Sequence, residues 1–446
     1  MLGTDRRVLA LAMARMADAL GNSFLIIVLP LYIASGRIDI AGLVGGSILG
    51  ITLTTELLIG LVLSLFGFLN SFGQPFTGRL SDRTGKRRRY ILLGLVVFGV
   101  ASAAYPFVSS YAAILLVRAF QGIGAAFTIP CTIALVNELA RSDAERGGNF
   151  GVFNTFRLIG FGFGPIVAGI LITGGIDSST VVTYAMPGWF PLATVSGFDA
   201  AFAVAVVGAI VSFGMVSVLV SDPERTDAEA ADDLSIDVFG TDRLFDPVFV
   251  LGVGTLFMAI GIGLFATLQE DINAALGQGP FLFSLQFAAV VIANVALQVP
   301  IGRAADRIGR RPFLVGGFVV LVPSLFVQGY VPDIAAALGG GLWDPGLMLL
   351  ARFVQGVAVA MVFAPGLAVA GDLAGEGRSG TTLSVLTMAF GLGVAIGPLA
   401  SGYLFRFGFA TPFVFASVLA ALALVLTYSQ VEETLTDAKT AAPADD

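Results

Sequence analysis

Asn70-Ser71-Phe72-Gly73-Gln74-Pro75-Phe76-Thr77-Gly78-Arg79-Leu80-Ser81-Asp82-Arg83-Thr84-Gly85-Lys86-Arg87 returns 224 residues later as Asn294-Val295-Ala296-Leu297-Gln298-Val299-Pro300-Ile301-Gly302-Arg303-Ala304-Ala305-Asp306-Arg307-Ile308-Gly309-Arg310-Arg311. Self-similarity of this length means two copies of one structural unit. Two shorter matches follow in the same order. Arg118-x2-Gln121-Gly122 pairs with Arg352-x2-Gln355-Gly356, and Gly160-x3-Gly164-Pro165-x3-Gly169 pairs with Gly393-x3-Gly397-Pro398-x3-Gly402. The chain is therefore expected to be a duplication whose halves share one architecture.

Composition says in which solvent those halves fold. Of 446 residues, 56% are apolar and only 12% charged, and the mean hydropathy is +0.91. A soluble chain of this size needs far more charge to cover its surface. Apolar runs of about 20 residues, each able to cross a bilayer as a helix, recur along the whole sequence. Transmembrane barrels write themselves as shorter alternating segments, so helices are the expected solution. The first run carries Arg15 and Asp18 within it and has no small-residue cleavage site, so it reads as a helix rather than a secretion signal.

Six runs are expected near Val8–Ala34, Glu56–Leu80, Tyr90–Val108, Tyr111–Val136, Asn149–Thr173 and Gly197–Val220. Six more fall near Pro247–Leu268, Phe281–Ile301, Phe313–Val331, Leu347–Ala370, Thr381–Phe405 and Thr411–Gln430. This gives a six-helix unit over 1–220, an acidic linker over 221–246, a second six-helix unit over 247–430 and a disordered acidic tail over 431–446. Arg79, Arg83, Lys86, Arg87, Arg88 and Arg89 share one loop, and Arg303, Arg307, Arg310 and Arg311 share its counterpart. By the positive-inside rule both loops, both termini and the linker are predicted cytoplasmic, with the longer outer loops at Ser35–Thr55 and Gly174–Ser196. The excess of basic residues in these loops reads first as an orientation signal, and for Arg87, Arg88 and Arg89 as nothing more.

The same residues carry a family resemblance. Gly78-x-Leu80-Ser81-Asp82-Arg83-x-Gly85-Lys86-Arg87 resembles the loop 2–3 signature of the major facilitator superfamily, and Gly302–Arg311 departs from it mainly at Ala304. Gly160–Leu171 is similar to the fifth-helix motif of the proton-coupled drug exporters within that family, with Ala168 in place of one glycine, and Asn22–Tyr32 is similar to their first-helix stretch. The resemblance implies an all-α fold of twelve transmembrane helices in two pseudo-symmetric bundles, with substrate near the midplane between them. It also implies a gating role for Asn70, Gln74, Gly78, Asp82, Arg83, Gly85 and Lys86, and for Asn294, Gln298, Gly302, Asp306, Arg307, Gly309 and Arg310. Asp82 would accept from a facing helix N-terminus or pair with Arg83. Gly160, Gly164, Pro165 and Gly169, with Gly393, Gly397, Pro398 and Gly402, form the helix-packing motif, where proline bends a helix and glycine permits close approach.

Charges inside apolar helices are costly and are expected to meet a cavity or a carboxylate. Arg118, Gln121, Arg352 and Gln355 recur in both halves, so they are expected to serve the shared machinery. Arg15, Asp18, Asn22 and Arg157 do not recur. Asp18 lies ten residues into its run, roughly 15 Å deep at ~1.5 Å per residue, and is the expected proton-coupling carboxylate. Arg15, three residues away on the same face, is its available partner, and Asn22 lies one turn further on.

The chain has no histidine and one cysteine, Cys131. Histidine triads and intramolecular disulfides are thereby excluded. No phosphate-binding loop is present, so coupling is expected to come from ion gradients. The leading expectation is a secondary transporter that exports a small organic solute in exchange for protons, with sodium as an alternative ion. No cofactor and no nucleic acid are expected, and the chain should act as a monomer in the cell membrane. An uptake permease of the same fold is the second reading, and a transport-inactive sensor the third. The net charge of −7 suggests a high-salt cytoplasm and hence a halophilic prokaryote.

Overall fold

The computed structural model of the chain describes residues 5–140, 143–175, 180–187, 194–222, 238–239, 244–373 and 379–435. Most of the expected linker and tail lies outside them.

Twelve helical spans are long and apolar enough to cross a bilayer. In the first half they are α1 (Arg6–Ala34), α2 (Thr55–Thr84), α3 (Arg87–Ala104), α4 (Tyr111–Glu138), α5 (Asp143–Thr173) and α6 (Gly197–Leu219). Their starts are set by short polar side chains that accept from otherwise orphaned backbone N–H groups. Asp5, Thr54, Ser110 and Ser196 cap α1, α2, α4 and α6 in this way. In the second half α7 (Pro247–Gly263) opens on Pro247 behind the capping Asp246. A 3-10 stretch, Leu264–Leu268, and the short α8 (Gln269–Ala275) continue the same span. Then come α9 (Pro280–Ile308), α10 (Arg310–Gln328), the short α11 (Val331–Ala337), α12 (Trp343–Leu373), α13 (Ser379–Leu404) and α14 (Thr411–Gln430).

The duplication seen in the sequence is a duplication of packing. In the first half α1 packs on α5 and α6, α2 on α4, and α3 on α4 and α6. In the second α7 packs on α13 and α14, α9 on α12, and α10 on α12 and α14. These are the same pairs, giving two pseudo-symmetric six-helix bundles. The bundles meet along α2 against α13 and α5 against α9.

Two antiparallel hairpins decorate one end of the molecule. β1 (Ser47–Ile48) pairs with β2 (Ile51–Thr52) between α1 and α2, and β3 (Thr183–Ala185) pairs with β4 (Thr194–Ser196) between α5 and α6. The opposite end carries the basic loops, where Gly85 ends α2 at φ +64 and Gly309 separates α9 from α10 at φ +125, conformations open to glycine. The expected helices differ from the observed ones mainly at this end. α9 runs to Ile308 rather than Ile301 and α2 to Thr84 rather than Leu80, because backbone bonds continue to the glycine that stops them. The expected single helix Pro247–Leu268 instead changes hydrogen-bonding pattern after Gly263.

Candidate functional site

Midway along α1, Arg15 Nη1 donates to Asp18 Oδ2, and both side chains are almost withdrawn from the surface. Asp18 keeps only 7% of its area exposed. Around the pair, Leu11, Ala14, Ile91, Leu95, Thr128, Thr132, Ser212 and Val216 line a void of about 10 Å³, which is room for one water. These residues come from α1, α3, α4 and α6, so this void lies inside the first bundle. Ser212 holds α6 to α1 by donating to the Ala14 carbonyl at 2.7 Å. Arg15 Nε is buried and unpartnered among the described residues.

Arg157 of α5 approaches from the other side. Gly160, one turn further on, lies so close to α1 that a Cβ would strike the backbone of Met16 and Leu20. Arg157 donates through Nε and Nη2 to Asn154 Oδ1 at 3.0 and 2.8 Å, and it feels the positive charge of Arg15. Asn22 is half-buried on α1.

The recurring arginines are sunk in protein, Arg118 at 2% and Arg352 at 0% exposed. Arg118 Nε donates to the Val62 carbonyl at 3.2 Å and Nη1 to Gln121 Oε1 at 3.0 Å, with the guanidinium over the Phe66 ring. Arg352 Nε donates to the Gln286 carbonyl at 3.4 Å and Nη1 to Gln355 Oε1 at 2.7 Å, with the guanidinium over Phe265. Val62 and Gln286 are 224 residues apart, the offset of the repeat itself. Each arginine thus ties its helix to the backbone of the bundle's second span. The expected carboxylate partner is replaced by a carbonyl, a glutamine and an aromatic face, a set that engages Nε and Nη1 without a second buried charge, while Arg352 Nη2 has no partner among the described residues.

At the basic end Asp82 does not pair with Arg83. Arg87 is buried and donates to Asp82 Oδ1 at 2.6 Å, to Ser81 Oγ at 2.7 Å and, through Nε, to Glu138 Oε1 at 2.6 Å. Arg87 was expected only to set orientation, yet it is the hub of this loop. In the second half Arg310, not the aligned Arg311, takes the place, donating to Asp306 at 3.2 Å and pairing with Asp372. Glu138 and Asp372 are 234 residues apart, as are Arg118 and Arg352, and that shared offset was a usable signal. Asn70 Oδ1 accepts from Gln74 at 3.1 Å, whereas Asn294 Oδ1 has no partner among the described residues.

A second pair of acids was missed altogether. Asp222, just beyond α6, accepts from the Arg88 N–H at 2.8 Å and so caps the start of α3. Glu433, just beyond α14, accepts from the N–H groups of Arg310 and Arg311 at 3.0 Å each and caps the start of α10. Partial burial pushes the Glu433 carboxyl up, but the N–H groups of Arg310, Leu435, Arg311 and Thr434 outweigh it and hold the carboxyl below its usual range. No spacing rule links these acids to the loops they cap.

The helix-packing motif works twice in the same way. Gly160 and Gly164 leave no room for a Cβ against α1, and Gly393 and Gly397 leave none against α7. The third glycine of each copy crosses between bundles, Gly169 onto Ser284 of α9 and Gly402 onto Glu56 of α2. Gly60 against Pro398, Gly67 against Ala395, Gly391 against Ser71 and Gly162 against Val291 complete the seam. All these approaches lie between mid-depth and the hairpin end. At the basic end a Cβ on Gly78 would meet only Pro130 of its own bundle, and one on Gly302 would meet nothing.

The family model described as Major Facilitator Superfamily matches residues 11–233 and 251–445. An uncharacterized MFS-type transporter of Methanocaldococcus jannaschii is 25% identical over 85% of this chain and 90% of its own. Quinolone resistance protein NorA of Staphylococcus aureus is 24% identical over 92% of this chain and 93% of its own. Among solved structures, a D-xylose-proton symporter superposes with a TM-score of 0.71 at 18% identity, covering 96% of this chain and 99% of that one.

Proposed function

The chain belongs to the Major Facilitator Superfamily and is a membrane transporter, and we propose that it exports small organic solutes in exchange for protons by alternating access. The observation that carries this reading is the Arg15–Asp18 pair, a carboxylate buried at mid-depth in the first helix of the first bundle. The similarity to NorA, whose name records quinolone resistance, supports export of drug-like compounds.

The pair sets the sign of coupling. Ionised Asp18 cancels the charge of Arg15. Protonated Asp18 leaves Arg15 uncompensated beside Arg157, and two cations repel a positively charged amphipathic solute. Proton and solute therefore compete, and loss of one favours binding of the other. The acid–arginine hubs at Arg87 and Arg310 are closed within their own bundles, so neither of them ties the two bundles together at the basic end. On the charge-based reading that puts the basic loops, termini and linker in the cytoplasm, the glycine contacts between the bundles seal the outer end.

Purified protein in vesicles tests this. Adding a cationic amphipathic solute should drive proton flux in wild type and none in Asp18→Asn. Retained proton coupling in that variant would remove Asp18 from the mechanism. In inside-out vesicles, accumulation driven by an acid interior supports export, whereas the opposite gradient dependence identifies an uptake permease.

A further inference from the structure

The hairpin between α1 and α2 has a turn poorly suited to water. Ile48 pairs with Ile51, and the two residues between them, Leu49 and Gly50, sit at φ +53 and +79. A two-residue turn with both angles positive is the type I′ turn, which Asn-Gly or Asp-Gly normally fills, since a branched apolar side chain gains nothing there and is strained. Leu49 is the one non-glycine among the described residues with a positive φ, and it is 97% exposed.

Its surroundings repeat the pattern. Ile48 is 61% exposed, Leu43, Val44 and Ile51 are also exposed, and from Ala41 to Thr55 there is no charged residue. Cβ atoms added at Gly42, Gly45 or Gly50 would meet nothing, so the finger stands clear of the other described residues. Its base is closed by Gly45 N–H donating to Leu53 O and Leu53 N–H to Gly46 O, and the chain just before it is held to the α3–α4 connection by Asp39 N–H donating to Ser109 O. Phe107, 87% exposed, stands two residues before Ser109 at the same end.

A contiguous uncharged patch of this kind marks an interaction surface. The hairpin grows directly from the first turn of α2, a bilayer-crossing helix, so the lipid-covered surface of the spans continues onto it. We propose that the hairpin is a lipid-dipping finger, with Leu49, Ile48 and Val44 seated among phospholipid acyl chains just below the headgroups of the leaflet at that end. The finger fixes the depth of α2 next to Glu56, which meets Gly402 across the seam. The proposal is independent of what the protein carries.

The test is an environment-sensitive dye on Leu49→Cys, with the buried Cys131 left in place, in vesicles of phosphatidylcholine and phosphatidylglycerol. Blue-shifted emission, quenched several-fold more strongly by doxyl-labelled lipid than by aqueous iodide, is expected. Water-like emission quenched by iodide overturns the proposal. So does protection from both quenchers, which would put the finger against protein instead. In a second measurement the dye sits on Ile48→Cys. Adding Leu49→Asn, which suits the turn to water, should cut doxyl quenching several-fold, and an unchanged signal overturns the proposal as well.

Discussion

The first helices of the two bundles occupy matching places and are built differently. Gly160 approaches Met16 and Leu20 of α1 as Gly393 approaches Leu256 and Ile260 of α7, so Asp18 corresponds to Met258 and Arg15 to Thr255. α1 is one continuous helix with a buried ion pair. α7 carries no charge and changes to a 3-10 pattern after Gly263, where the Thr267 hydroxyl donates to the Pro398 carbonyl at 3.1 Å. The frame around them, with its braced arginines, paired glycines and capped loops, is held in common. What is duplicated keeps the bundles alike, and what is single puts a buried ion pair at mid-depth in the first bundle.

The sharpest way to break this contrast is to alter the two matching positions one at a time. Asp18→Asn should lower proton-coupled flux by at least tenfold, while Met258→Leu leaves it within about twofold; equal losses would show that the asymmetry has no bearing on coupling. Next in size is the cost of a bachelor charge. Arg15→Ala should destabilise the protein by about 3–5 kcal/mol, as removing one partner of a buried pair does. The double variant Arg15→Ala/Asp18→Asn should recover most of that loss in thermal unfolding, and failure to recover would mean the pair is not what stabilises the site.

The common frame can be tested in both copies. Gly160→Ala and Gly393→Ala each press a methyl group into the facing backbone, and each should cost about 1–3 kcal/mol. Matched losses would confirm that the two contacts are one device, and a loss confined to one bundle would break the equivalence. The smallest effect is expected at the tail. Because Glu433 is held below its ordinary value, its contribution is whole above about pH 4.3. It fades as pH falls through the lowered value. Exposure limits it to under about 1 kcal/mol, and Glu433→Gln should flatten the acid limb of the stability profile by that amount.

Much of this was legible because the physics is local. Length and apolarity fix a span, and a repeated Asn-x3-Gln-x3-Gly-x3-Asp fixes the duplication. The break in α7 was hidden, since Ile262-Gly263-Leu264-Phe265 contains no proline and remains apolar throughout. Arg87 was misjudged because the positive-inside rule accounts equally well for any arginine in that loop, and only geometry distinguishes the one that turns inward to Glu138. The caps at Asp222 and Glu433 join segments more than 120 residues apart, beyond the reach of any pattern in spacing. The Leu49 turn was missed for the reverse reason, since Ile-Leu-Gly-Ile lacks the usual hairpin dipeptide.

The contact of Gly391 with Ser71 falls close to the midpoint of α2, a helix of 30 residues. At ~1.5 Å per residue each arm of that helix is about 22 Å long. A swing of only about 10° around such a fulcrum carries each tip through roughly 4 Å, given that rise. Leverage of that order would part the backbones at Glu56 and Gly402 while drawing the opposite tips together, with no helix needing to bend.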